Sequence, residues 1–269
     1  MIRICTKQDR KWILDYLYQD AVYNIFIIGD IEHFGFDSDF QQIYVETEQD
    51  EIKAVFLRYR TNSVYYSKDA YFNPEFINIF NLYDLSFISG KTEVMKEVYP
   101  YLKNYEEKPT YFCSTYKEEL NIDSKPHIKI KKLTANKDDM NRLYDLLSLI
   151  TEFAYSAKDR KTFVEEKISS ISMGDTYYIE EDDMIVSTVA VTAETTINGM
   201  VVAVATHPNY RNKGYARLLM IYLMDVYLNR KNKDLCLFYD NPKAGHIYIS
   251  LGFKPIGTWS MFKKISDAS

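Results

Sequence analysis

The stretch Met200 to Ala216, MVVAVATHPNYRNKGYA, gathers residue types suited to holding an anion. Met200–Thr206 is a nearly uninterrupted apolar run with the character of a buried strand, a Pro-containing turn follows, and Arg211-Asn212-Lys213-Gly214-Tyr215-Ala216 opens a helix. The first N–H groups of a helix have no internal partner and sit at the positive end of its dipole, so a pyrophosphate can rest against them. Gly214 removes the Cβ that would hold such a ligand away, Ala216 keeps the approach nearly as open, and Arg211 and Lys213 add positive charge. The chain has only nine glycines in 269 residues, where the usual ~7% share gives roughly nineteen, which makes the placement of one here informative. Taken alone, the residues allow either an anion cradle or an ordinary strand–turn–helix connection with solvated basic side chains.

The surrounding elements set where this loop stands. In the second half, helices are expected at Lys137–Ile150 and Asp159–Ser172, then strands at Thr176–Glu180 and Met184–Thr195 around the acidic turn Glu181-Asp182-Asp183. Asn198-Gly199 reads as a hairpin turn. After the loop, Leu218–Leu228 carries an apolar helical stripe, Leu235–Tyr239 is a strand, a short helix ends near Gly252, and Thr258–Lys263 is expected to close the sheet. In the first half, Gln42–Val45, Ala54–Tyr59, Ser63–Tyr66 and Leu85–Ser89 read as strands, and Pro74–Phe80 and Glu93–Leu102 as helices. No strand there is followed by a loop with spaced glycines. The halves open alike: Ile2-Arg3-Ile4 leads into a helix with Trp12, Ile13, Tyr16 and Leu17 on one face, and Ile128-Lys129-Ile130 leads into one with Met140, Leu143, Leu146, Leu147 and Ile150. The polar stretch KEELNIDSK, Lys117–Lys125, separates them. The expected division is therefore 1–120, a linker at 121–126, and 127–269, two α/β (α+β) domains with sheets flanked by helices.

Composition bounds the function classes. With 46% apolar and 26% charged residues the chain is a folded globular protein. Its net charge of −5 argues against a nucleic-acid surface. That average hides an asymmetry: residues 1–126 carry 14 basic and 21 acidic side chains, residues 127–269 carry 19 and 17, so the second half better suits an anionic ligand. Cys5, Cys113 and Cys236 are odd in number and widely spaced, which suggests neither a disulfide framework nor a metal site. No run approaches the length of a membrane span and the N-terminus lacks a signal-like apolar core, so a cytoplasmic protein without a membrane partner is expected. The oligomeric state is not legible.

The loop resembles the acyl-CoA-binding signature of the GNAT acyltransferase superfamily, (Q/R)xxGx(G/A), here Arg211, Gly214 and Ala216. The lead-in Ala203–Tyr210 is similar to the family's strand ending in a V-x-P-x-Y/F-R type turn. Asn241-Pro242-Lys243-Ala244 and Tyr248–Phe253 are similar to its late segment, an Asn and an Ala ahead of YxxxGF. The resemblance covers 127–265, while the first half resembles a degenerate copy without the loop. It implies two GNAT-like domains, each with a mixed, mostly antiparallel sheet, and a CoA cofactor whose pyrophosphate rests on Arg211, Asn212, Lys213, Gly214, Tyr215 and Ala216. By the same mapping Val202 and Val204 offer main-chain groups to the pantetheine arm and the thioester oxygen. Asn241 would bond the pantetheine or order Tyr248, and Tyr248 takes the position of the tyrosine that protonates the departing thiolate. Asn241 also reads as a turn former, and Tyr248 as a packing residue.

Family members often place a basic Glu on the central strand, but Met200–Thr206 has no carboxylate. Glu194, Glu152 or a water relay are the candidates for the base, both glutamates also reading as solvated surface charges. His207 reads as structural. The expected activity is an acetyl-CoA-dependent N-acetyltransferase acting on an amine of a small molecule or peptide, with the first half shaping the acceptor site or the domain packing. The alternatives are a non-catalytic acyl-CoA sensor or scaffold, and a tandem acyltransferase with a longer acyl or an aminoacyl donor.

Overall fold

A computed structural model of the chain describes residues 1–116, 128–154 and 159–265; the expected linker at 121–126 lies outside the described residues. The chain divides into two compact units that are not contiguous in sequence. The first comprises 1–113, 238–242 and 255–269, the second 114–237 and 243–254.

The first unit contains β1 (Ile2–Ile4), α1 (Arg10–Leu17), α2 (Ile25–Phe34), β2 (Gln41–Glu48), β3 (Glu51–Tyr59), β4 (Asn62–Tyr66), α3 (Phe76–Phe80), β5 (Phe87–Lys91), α4 (Thr92–Val98) and β6 (Tyr105–Ser114). In the second are β7 (Lys131–Lys132), α5 (Lys137–Ser148), α6 (Thr151–Ala154), α7 (Arg160–Ser169), β8 (Thr176–Glu181), β9 (Met184–Thr192), β10 (Asn198–Thr206), α8 (Tyr215–Met224), β11 (Asp234–Tyr239) and α9 (Pro242–Ser250). The final strand, β12 (Lys254–Lys264), pairs antiparallel with β5 from Trp259↔Lys91 to Lys263↔Phe87. The strand order is β1-β2-β3-β4-β5-β12-β6 in the first unit and β11-β10-β9-β8-β7 in the second. The last strand thus serves the first unit's sheet, not that of the second half as expected. Alternating burial tells which face of a strand is covered, not which neighbour it takes.

Each unit carries its own core. In the first, Phe56, Tyr65, Phe76, Ile88, Met95 and Phe262 are buried together; in the second, Met140, Leu143, Leu146, Ile185 and Ala205 are. Helix starts follow the local chemistry. Asn136 accepts the Asp138 amide to cap α5, and Asp159 accepts that of Thr162 to cap α7. Helix α2 and strand β6 are elements that the sequence reading leaves unassigned. Most of α2 is apolar all round, with Ile25, Ile27, Ile28, Gly29 and Ile31 buried, so it lacks the amphipathic stripe that marks a surface helix.

One expected turn is displaced. The chain reverses at 193–197, where the Thr195 hydroxyl accepts the Asn198 amide (3.0 Å) and donates to Asn198 Oδ1 (2.7 Å). Asn198 and Gly199 are the first residues of β10. A Cβ at Gly199 would meet Val191 Cγ1 at 2.7 Å and Tyr227 Cε1 at 3.2 Å, so this glycine serves close packing and not a turn.

Candidate functional site

Strand β10 lies between a parallel and an antiparallel neighbour. It pairs with β11 from Asn198↔Asp234 to Val201↔Leu237 and with β9 in antiparallel register. The β11 pairing ends at Val201, yet β10 continues to Thr206. At that point its register against β9 also shifts. Val202 faces Ala190 and Ala205 faces Thr188, one extra residue on β10, and Ala203 takes a left-handed φ of 51°. This is a β-bulge, which turns a strand and withdraws main-chain groups from the ladder. Val202 is 36% exposed on an internal strand. The two residues expected to offer main-chain groups, Val202 and Val204, flank the irregular residue.

The loop follows directly. His207 Nδ1 accepts the Asn209 amide (3.2 Å), Pro208–Tyr210 form a single 3-10 turn, and Arg211 Nε donates to the Thr206 carbonyl (3.4 Å). Asn212 and Gly214 both adopt left-handed backbone, φ 64° and 82°. Gly214 caps α8, and a Cβ there would meet nothing within 4 Å, so the space in front of the helix start is open. Residues 211–214 are exposed while Tyr215 is buried. The Tyr215 hydroxyl donates to Glu181, which also lies 3.9 Å from Lys213 Nζ. The Lys213 ammonium stands 4.5 Å from the Tyr210 ring centroid. These contacts fasten the loop to the end of β8 and leave Arg211 and Arg217 as further cations. The first turn of α8 holds no acidic residue.

Tyr248 lies on α9, 8% exposed, with its ring 6.2 Å from that of Phe253 in an edge-on arrangement. Burial pushes its hydroxyl pKa up to about 12, so it keeps its proton at neutral pH. The Phe253 amide donates to the Tyr248 carbonyl (3.1 Å), which closes the end of α9 on the YxxxGF segment. Asn241 is exposed and immediately precedes α9.

Glu194 is not brought to this site. It precedes β10, whereas the loop follows it, and nine strand residues separate the two, roughly 30 Å of chain. Its carboxylate accepts from Lys233 (2.7 Å), Lys231 (3.0 Å) and Tyr227 (2.9 Å). Burial alone would raise its pKa, but these partners outweigh it and hold the group below the usual carboxylate range. Such an anchored carboxylate is a poor base, and the expectation for Glu194 is corrected on both position and charge. The side chain of Glu152 lies outside the described residues. Arg217, which the sequence reading passed over, stands in the first turn of α8 and donates through Nη1 to Ser250 Oγ (2.8 Å) on α9. Its signal was available: a cation in a helix's first turn opposes the dipole unless an anion compensates.

Comparison with known proteins matches this region. Residues 173–255 fit the model of the acetyltransferase (GNAT) domain. No curated protein matches the chain in sequence. Among solved structures, a tandem GNAT protein from the clavulanic acid biosynthesis pathway aligns over 100% of this chain and 99% of its own, with a TM-score of 0.60 and 9% identity. A GCN5-related N-acetyltransferase-like protein from Streptococcus suis aligns over 96% and 99%, with a TM-score of 0.59 and 13% identity. A Drosophila protein aligns over 98% of both chains, with a TM-score of 0.67 and 11% identity. The loop and the bulged strand thus fall within the stretch, residues 173–255, that matches the GNAT acetyltransferase domain model, and over its whole length the chain shares the fold of a tandem GNAT protein.

Proposed function

We propose that the protein is an acetyl-CoA-dependent N-acetyltransferase whose acceptor is an amine of a small molecule or peptide. The GNAT fold supports acyl-CoA-dependent acyl transfer in general, and the observation that carries the reading to this site is β10, which leaves its parallel partner after Val201, bulges, and ends in the Gly214-capped start of α8. The residues fit a CoA group. There is open space at Gly214, a helix start without acids, and cations at Arg211 and Lys213. Bound there, acetyl-CoA would supply an activated thioester carbonyl.

The chain's own residues divide the remaining work. Arg211, Lys213 and the amides of Asn212, Gly214, Tyr215 and Ala216 hold the pyrophosphate. Main-chain groups freed by the bulge at Val202 and Val204 align the pantetheine arm and face the developing oxyanion, a term that is often the largest in acyl transfer. Asn241 orders the segment ahead of α9. Tyr248 holds a proton at Oη and donates it to the departing sulfur. Since β10 has no carboxylate and Glu194 is committed elsewhere, the acceptor amine loses its proton to Glu152 or to solvent.

The lack of a strand carboxylate also favours a second reading, an acyl-CoA-binding module without turnover. Release of free thiol from acetyl-CoA, measured across a panel of small-molecule and peptide amines, separates the two. Amine-dependent release is expected. Tight acetyl-CoA binding with no release for any amine supports the binding module and refutes the enzyme.

A further inference from the structure

We propose that Arg217 is a positioning residue that links an anion at the start of α8 to the setting of α9, the helix that carries Tyr248. The inference rests on the reading of the 211–216 loop as a phosphate site and adds a residue and a coupling to it. Arg217 is the third residue of α8, exposed, in a first turn that holds no acid. A guanidinium there is disfavoured by the helix dipole, and a bound anion reverses that balance. The guanidinium has five N–H donors in a fixed fork. Arg217 uses Nη1 on Ser250 Oγ at 2.8 Å and, among the described residues, makes no other side-chain hydrogen bond or ion pair. Its remaining donors can therefore meet a phosphate oxygen while the Ser250 bond stays in place.

The far end of the link is equally constrained. Ser250 Oγ donates to the Ile247 carbonyl (2.8 Å), so the hydroxyl is oriented with its lone pairs toward Arg217. Residues two apart on a helix point to opposite sides; here Ser250 is exposed and Tyr248 is buried. A restraint on the outer face of α9 thus limits rotation of the helix that carries Tyr248 on its inner face. The Leu251 and Phe253 amides, both bonded to the Tyr248 carbonyl (3.0 and 3.1 Å), report directly on that last turn.

The test is amide hydrogen exchange at 251–253 on the full chain, with and without CoA, beside calorimetric titration of CoA. In the native protein CoA should slow exchange at these amides severalfold. Ser250→Ala should bind CoA with affinity within twofold of native yet lose that CoA-dependent slowing, and Ser250→Thr, which keeps a hydroxyl, should restore it. Arg217→Ala should lose the slowing and also bind CoA several times more weakly. Ser250→Ala is an exposed change that leaves the fold intact, so the test does not depend on the arginine variant. CoA-dependent slowing that persists undiminished in Ser250→Ala overturns the coupling and leaves the phosphate site standing. Absence of CoA binding by the native protein overturns both.

Discussion

Both units contain a parallel strand pair, and the two pairs have opposite fates. In the first, β4 and β5 pair from Asn62↔Phe87 to Val64↔Ser89; in the second, β10 and β11 pair from Asn198↔Asp234 to Val201↔Leu237. After β10 the chain turns outward into exposed residues and a ten-residue helix. After β4 it folds inward. Tyr65 Oη donates to the Tyr71 carbonyl (3.2 Å), Tyr71 Oη and Asn73 Nδ2 both donate to Glu46 Oε1 (3.1 and 2.7 Å), and Phe72 is buried. The helix that follows, α3, is five residues long with Phe76 and Phe80 in the core. Glycine is used differently as well. A Cβ on Gly90 of β5 would strike the Tyr65 carbonyl at 2.5 Å, while one on Gly214 would meet nothing. One pair is packed with aromatic rings around an acid; the other is left open beside cations. The same strand arrangement is thus closed by packing in one unit and left open in the other, according to what the following loop contributes.

That contrast is open to attack from both sides. The largest expected effect is on the packed side: Phe76→Ala should destabilise the protein by about 3–5 kcal/mol, read by denaturant unfolding, while CoA affinity at a folding temperature stays unchanged. A loss of CoA affinity in the folded variant would erase the distinction. On the open side, Tyr248→Phe should lower turnover about 100-fold with little change in CoA binding, and the native rate should show no loss from this group until pH nears its pKa of about 12. An unaltered rate would make Tyr248 a packing residue. Glu194→Gln should have the smallest effect on turnover, within about twofold, while lowering the melting temperature by a few degrees through loss of its lysine partners. Its folded pKa is depressed, so the stability it contributes is present above the unfolded carboxylate value and fades as pH falls through the lower folded one. The melting temperatures of the native and Glu194→Gln proteins should therefore converge in acid. A large fall in turnover for Glu194→Gln would restore it as a catalytic candidate.

The loop's conformation was legible in the sequence because its parts are local: strand, turn, cations and glycine lie within seventeen consecutive residues. The bulge was not. It is marked by neither Gly nor Pro, and Ala203 carries the left-handed backbone. Asn198-Gly199 has the chemistry of a two-residue turn, but Thr195 closes the reversal earlier and the glycine answers to Val191 and Tyr227 across the fold. Glu194 followed from proximity in sequence to β10, and its lysine partners come from residues nearly forty positions later. The membership of β12 in the first unit is non-local in the same way.

The central claim is that only the second unit's loop takes the donor. Calorimetric titration with CoA tests it most directly, on the native chain and on Gly214→Glu, which places a side chain at φ 82° and a negative charge at the helix start. The backbone strain alone is about 1 kcal/mol, and the charge opposes the anion. The expected result is one CoA per native chain and an affinity at least about 100-fold weaker in the variant. Two CoA molecules per chain, or one bound as tightly in Gly214→Glu as in the native protein, would contradict it.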